Sequence, residues 1–226
     1  MKSLRLFLHR FPITLGLLLT LALVALTTNS HASRLEPDWL TQLGFASRDF
    51  WEVRWGRLFT SALVTLGGSV FWQAIGMVSL AVGAAEYLTG SKQTFAVFWG
   101  VHLTTLLTTG LIVNPILHWL VFNGDSLLLW SRDVGPSAGY FGALGFAVAA
   151  LPVRRRWRWL LAAAIFAGLV LTVWQTFGIG EDGTLKLLAD IAHLIAFPLG
   201  AAAWPIIRYF GRRRQAAPPK LMKGIQ

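Results

Sequence analysis

Two residues far apart in the chain have the types that acyl-transfer chemistry needs. Ser137 lies in DVGPSAGYFGALG, enclosed by glycines at the head of an apolar run, and His193 lies in LADIAHLIAFPLGAAAW. A serine hydroxyl attacks a carbonyl when a base within hydrogen-bond reach takes its proton, and histidine is the commonest base. Of the five histidines, His9 and His31 flank the first apolar segment and His102 and His118 sit around the third. His193 lies inside the last, where an ionisable side chain is a functional candidate by default. The competing reading for His193 is a histidine satisfied by a helix backbone. For Ser137 it is a small-residue face, formed with Gly135, Ala138, Gly139, Gly142 and Gly145, on which two helices pack closely. GPSAG also fits the G-x-S-x-G elbow, in which a strand feeds the serine into a helix. The chain has no strand–helix alternation, so that reading fails.

The elements that must position these residues follow from composition. The chain has 226 residues, 55% hydrophobic and 13% charged, with a mean hydropathy of +0.58. A soluble domain carries about twice that charged share. Six apolar segments stand out at 11–28, 58–84, 93–113, 135–152, 157–178 and 186–207. Each is about 18–25 residues long, enough to cross a ~30 Å hydrocarbon core as a helix. The fold class expected is an all-α, polytopic membrane protein with six transmembrane helices in one domain, residues 11–210. A basic N-terminus (1–10) precedes it, an outer loop (29–57) follows the first span, and a basic, disordered tail (211–226) ends it. The connection NPILHWLVFNGDSLLLWSRDVG is too apolar for an ordinary loop and is expected to be partly embedded.

Charge orients the spans. With the N-terminus inside, the inner segments hold 14 of the 20 lysines and arginines, and nine of the ten acidic residues fall outside. The positive-inside rule then places both termini in the cytoplasm, and the short loops suit a bacterial inner membrane. The first segment also resembles a cleavable signal peptide, with SHA-S at 30–33. Its apolar run of about 17 residues exceeds the usual 7–15 and favours a retained span.

Other classes are excluded. There is no cysteine, and no two intramembrane histidines or carboxylates share a close spacing, so no metal or other cofactor is expected. The net charge of +10 lies in blocks beside apolar segments rather than in a groove with interleaved aromatics, so no nucleic-acid partner is expected. Most of the eleven tryptophans, among them Trp55, Trp119, Trp130, Trp157, Trp159 and Trp204, lie near span ends, where interfacial belts place them.

Depth brings the serine and the histidine together. Both of their spans run from outside to inside. Ser137 lies 17 residues before Arg154 and His193 lies 15 before Arg208, about 25 Å and 22 Å of helix. The two side chains are therefore expected within ~3 Å of one level, below the outer surface of a ~30 Å core.

At this point the sequence, over roughly residues 45–210, resembles the rhomboid family of intramembrane serine proteases. GRLFTSALVT resembles the family's entry into the second span, with Arg57 at its characteristic arginine, and VGAAEYLTG places Glu86 and Gly90 on the E-x-x-x-G that closes that span. GPSAGYFGALG aligns on G-x-S-G-x-x-F/Y-G-x-x-G, and AHLIAFPLG on A-H-x-x-G-x-x-x-G. The resemblance implies Ser137 as nucleophile, His193 as general base, and Phe141 stacked on the imidazole. Backbone amides near Gly135, Ser137 and Ala138 would hold the oxyanion. Ala138, Gly139, Gly142, Ala196 and Gly200 would let the fourth and sixth spans approach. A dyad needs no third acidic residue, and Asp190 reads as an outer-surface charge. The chain departs from the family where H-x-x-x-N helps hold the oxyanion: Val70 and Ala74 stand there, and neither side chain can donate. Gln73 is adjacent but about 100° around the helix. Ala138 replaces a glycine, and Pro136 before the serine supplies no N–H.

The activity implied is cleavage of transmembrane segments of other membrane proteins. A catalytically inactive relative that binds transmembrane helices is the alternative, and a small transporter or lipid-binding membrane protein is the third. The sequence does not specify the oligomeric state.

Overall fold

Prolines, glycines and one buried carboxylate decide where the helices begin and end. The computed structural model describes residues 9–120, 131–177 and 180–216. Among these the protein is helical, with two isolated β-bridges and no strands. The elements are α1 (Pro12–Thr27), α2 (Pro37–Leu43), α3 (Arg57–Thr60), α4 (Ser69–Thr89), α5 (Ser91–Trp119), α6 (Ser137–Ala150), α7 (Arg155–Thr176) and α8 (Gly180–Ala216). Residues 121–130, which hold Trp130 and the middle of the connection expected to be partly embedded, lie outside the described residues, as do most of the basic N-terminus and residues 217–226 of the tail.

Among the described residues, four helices are long and apolar enough to cross a membrane: Ser69–Thr89, Ser91–Trp119, Arg155–Thr176 and Leu185–Gly211. The first and fourth segments expected to span form shorter helices, 16 residues in α1 and 14 in α6. Helix length alone therefore supports four crossings rather than six.

The second segment is displaced from the expected 58–84. Arg57–Leu63 winds into short turns, and the chain then extends to Gly67 (φ +83°) and Gly68 (φ +58°) before α4 starts. At Gly67 a Cβ would strike the backbone of Ser33 and Ser30, so only glycine permits the bridge to Arg34. α4 ends at Gly90, whose φ of +90° turns the chain into α5. α6 stops at Leu151, extended before Pro152, because proline disfavours helical geometry in the preceding residue. α8 continues through Ala216, into the tail read from sequence as disordered. The arginines, glutamine and alanine there are good helix formers.

α1 lies along α4 and meets it at both ends. At one end Glu86, 2% exposed, accepts the amides of Ile13 (3.0 Å) and Thr14 (2.9 Å) and the Thr14 hydroxyl (2.7 Å). The first amides of a helix have no partner within it and carry the positive end of its dipole, so the carboxylate of α4 caps α1. At the other end the Gly68 amide donates to the Ser30 carbonyl. The inward face of α1, Leu17, Leu21 and Ala25, is buried in the core with Val78, Val82, Phe98 and Phe146. α1 is thus built into the fold.

α6 is the central helix. Eight of its 14 residues are buried, and it packs on α4, α5, α7 and α8. α7 is peripheral, burying only Leu169 and Thr176 among its described residues. Trp55, Trp119, Trp157 and Trp159 are exposed. Trp204 instead packs edge-on against Phe146, with ring centroids 5.7 Å apart.

Candidate functional site

The approach to Ser137 is held by residues 44–61. Asp49, fully buried, accepts Arg57 Nη1 at 2.6 Å, Arg132 Nη1 at 3.1 Å and the Ala46 amide at 2.9 Å. Arg132 also donates to the Gly44 carbonyl. Phe45 and Asp133 exchange both backbone hydrogen bonds, at 3.0 and 2.7 Å, and the Gly135 amide donates to the Ser61 carbonyl at 2.8 Å. Residues 132–135 are therefore strapped down immediately before α6. Burial pushes the Asp133 carboxyl up to about 6, against the opposing hydrogen bond from the Val134 amide. Pro136 then serves as the N-cap of α6, its carbonyl accepting the Tyr140 amide. The amides of Ser137, Ala138 and Gly139 open the helix with no acceptor inside it.

α6 and α8 run side by side in the same direction. Their contacts advance along both helices together, from Phe141–His193 through Gly142–Gly200 to Phe146–Trp204. The approach is backbone to backbone: a Cβ on Gly200 would strike the Gly142 carbonyl, and one on Gly145 would strike the Phe197 carbonyl. Ala196, fully buried, lies in the same core. Gly139 serves another neighbour, since a Cβ there would meet the Phe98 ring of α5. It does not belong to the α6–α8 seam expected from sequence.

Phe141 packs on His193 with ring centroids 4.3 Å apart and planes tilted by 31°. Ser137 lies four residues before Phe141 on the same helix, hence on the same face. The imidazole thus packs on α6 one turn from its start at Ser137.

Among the described residues, no hydrogen bond reaches either ring nitrogen of His193. Nε2 is buried and unpartnered, and Nδ1 lies 3.9 Å from Asp190 Oδ1. The reading of His193 as satisfied by a helix backbone therefore fails, and the Ser137–His193 hydrogen bond is not formed in this state. Catalytic hydrogen bonds are often open without substrate.

Of the other predicted groups, the Gly135 amide is engaged by Ser61, so it is not free to hold an oxyanion. Val70 is exposed and Ala74 buried, both on the first turns of α4. Gln73 is exposed. Asp190 is not a surface charge. It is 8% exposed, and its Oδ2 accepts the Thr176 hydroxyl of α7 at 2.6 Å. The i, i+3 spacing from Asp190 to His193 was the signal available in the sequence. Nothing in the sequence pointed to Thr176, nor to Asp49 as the partner of Arg57 and Arg132.

His102 is buried in α5, its Nε2 lies 3.1 Å from the Leu58 carbonyl, its Nδ1 is buried without a partner, and its ring packs against Phe98 and Trp99. It fastens the α3 turn to α5. Among the described residues, no group of three or more metal-ligating side chains occurs.

No family model, curated protein or solved structure matches the chain. The functional reading therefore rests on the residues and their geometry.

Proposed function

We propose that this protein is a rhomboid-type intramembrane serine protease, with Ser137 as nucleophile and His193 as general base. The observation that carries the reading is the stacking of Phe141 on His193 across a glycine seam, which sets the start of α6 beside an imidazole whose Nε2 is buried and unpartnered. As Ser137 Oγ attacks a peptide carbonyl, Nε2 takes its proton and a tetrahedral intermediate forms, which becomes the acyl-enzyme as the C–N bond breaks. Nε2 protonates the amine as it leaves, and water releases the acyl group by the reverse path. The Ser137 and Ala138 amides, at the positive end of the α6 dipole, supply the oxyanion donors.

The proposed architecture has six crossings. α1 is bracketed by both ends of α4, which supports a crossing by α1 despite its length. α6 is strapped to the outer loop at its start and ends at Leu151, beside Phe11 and Tyr87. Its 14 residues reach about 21 Å, roughly 9 Å short of the hydrocarbon thickness. That shortfall suits a nucleophile recessed below the outer surface. The substrates are transmembrane segments of other membrane proteins, the host is a bacterial inner membrane, and both termini lie in the cytoplasm.

Labelling the purified protein in detergent with a fluorophosphonate serine probe tests the reading. Labelling that disappears in Ser137→Ala and His193→Ala supports it, and a folded wild type that takes no label overturns it. A second reading, a non-catalytic binder of transmembrane helices, draws on Val70 and Ala74 at the expected oxyanion positions and on the engaged Gly135 amide. It predicts a folded, unlabelled protein that still captures helices.

A further inference from the structure

We propose that Asp190 is a positioning residue for His193, itself held by Thr176 of the neighbouring helix. The proposal rests on the Ser137–His193 reading and adds an orienting arm behind the base.

Asp190 is buried in the apolar part of α8, where a carboxylate is expensive and persists only with a partner or a task. Its two oxygens face different groups. Oδ2 is held at 2.6 Å by the Thr176 hydroxyl, which also lies against the Thr172 carbonyl, and Oδ1 faces His193 Nδ1 at 3.9 Å. Thr176 is 1% exposed, at the C-terminal end of α7. The carboxylate thus has one oxygen anchored and the other directed at the imidazole.

The present separation exceeds hydrogen-bond length by roughly 1 Å, a gap that a small ring rotation closes. A carboxylate on the Nδ1 side favours the tautomer with its proton on Nδ1 and its lone pair on Nε2. Nε2 is the nitrogen left without a partner, so the lone pair falls where the Ser137 proton must go. Among the described residues, Phe141 from α6 packs on His193 and Thr176 from α7 bonds Asp190, both uncharged, while Lys186 lies one turn before Asp190 on α8. Among the described residues, Asp190 is the charged group paired with His193. When the proton moves from Ser137 Oγ to Nε2, this carboxylate balances the imidazolium until the leaving amine takes the proton.

The test uses the full chain in detergent, labelled with ¹⁵N-histidine, with the His193 signals assigned by their loss in His193→Ala. The wild type is expected to show the Nδ1–H tautomer, and Asp190→Asn a mixture of the two. Fluorophosphonate labelling of Asp190→Asn should slow by about tenfold to a hundredfold, less than in a tightly hydrogen-bonded triad. Thr176→Val should shift both readouts in the same direction, and Thr176→Ser, which keeps the hydroxyl, should restore them. An unchanged tautomer in Asp190→Asn overturns the proposal. If Asp190→Asn does not fold, an unchanged tautomer in Thr176→Val overturns it equally. A wild type that takes no label overturns the protease reading instead, and the tautomer still decides whether Asp190 orients His193.

Discussion

Two buried polar sites at opposite ends of the bundle are built differently. At the α1–α4 end, both oxygens of Glu86 are used, accepting two amides and a hydroxyl from α1. At the α6–α8 end, no hydrogen bond reaches the His193 ring among the described residues, and a carboxylate waits 3.9 Å away. A buried polar group without a partner costs about 1–3 kcal/mol, so a satisfied site reads as structure and an open one as a candidate for function. The Asp49 carboxylate resembles Glu86 in being fully used, by two arginines and an amide, although Arg132 Nη2 beside it has no partner.

Substitutions that separate activity from stability would break or sharpen this contrast. The largest effect is expected at Ser137. Ser137→Ala should lower probe labelling by a factor of about 10³ or more, while its thermal unfolding in detergent stays near that of the wild type. Asp49→Ala acts the opposite way. It leaves Arg57 and Arg132 without their carboxylate and should cost about 3–5 kcal/mol, measured by denaturant unfolding. Activity should follow, because the strap before α6 loosens.

Gly200→Ala lies between the two classes. The added methyl meets the Gly142 carbonyl and should cost about 1–3 kcal/mol as the helices part. Probe labelling should fall more steeply than stability, since the Phe141–His193 contact lies on the same seam. The smallest effect is expected from Glu86→Gln, about 1–2 kcal/mol for the lost charge-assisted caps. Labelling should not change when it is measured well below the unfolding transition. A Glu86→Gln variant that folds normally but takes no label would remove the distinction between the two ends.

Some of the architecture was legible because it depends on composition and local chemistry. Apolar runs marked the helices, and Gly90 marked the close of α4. The directions of the fourth and sixth segments followed from the basic blocks. The boundaries of α4 and the length of α6 were not legible. Each depends on a contact from another part of the chain: the extended 64–68 segment lies on the end of α1, and Gly135 is tied to Ser61.

The sequence by itself determined a helical, membrane-compatible chain with a serine and a histidine on helices of the same direction. Periodicity and charge blocks are properties of a single strand of residues. Only the tertiary structure decided which polar groups are satisfied. Asp190 reads as a surface charge in one dimension and becomes a buried neighbour of His193 only when α7 brings Thr176 against it. Asp49 acquires its role only when Arg57 and Arg132, from separate segments, converge on it. Hydrogen bonds between distant residues depend on distances of a few tenths of an ångström. The packing of glycines and rings sets those distances, and no local pattern encodes them.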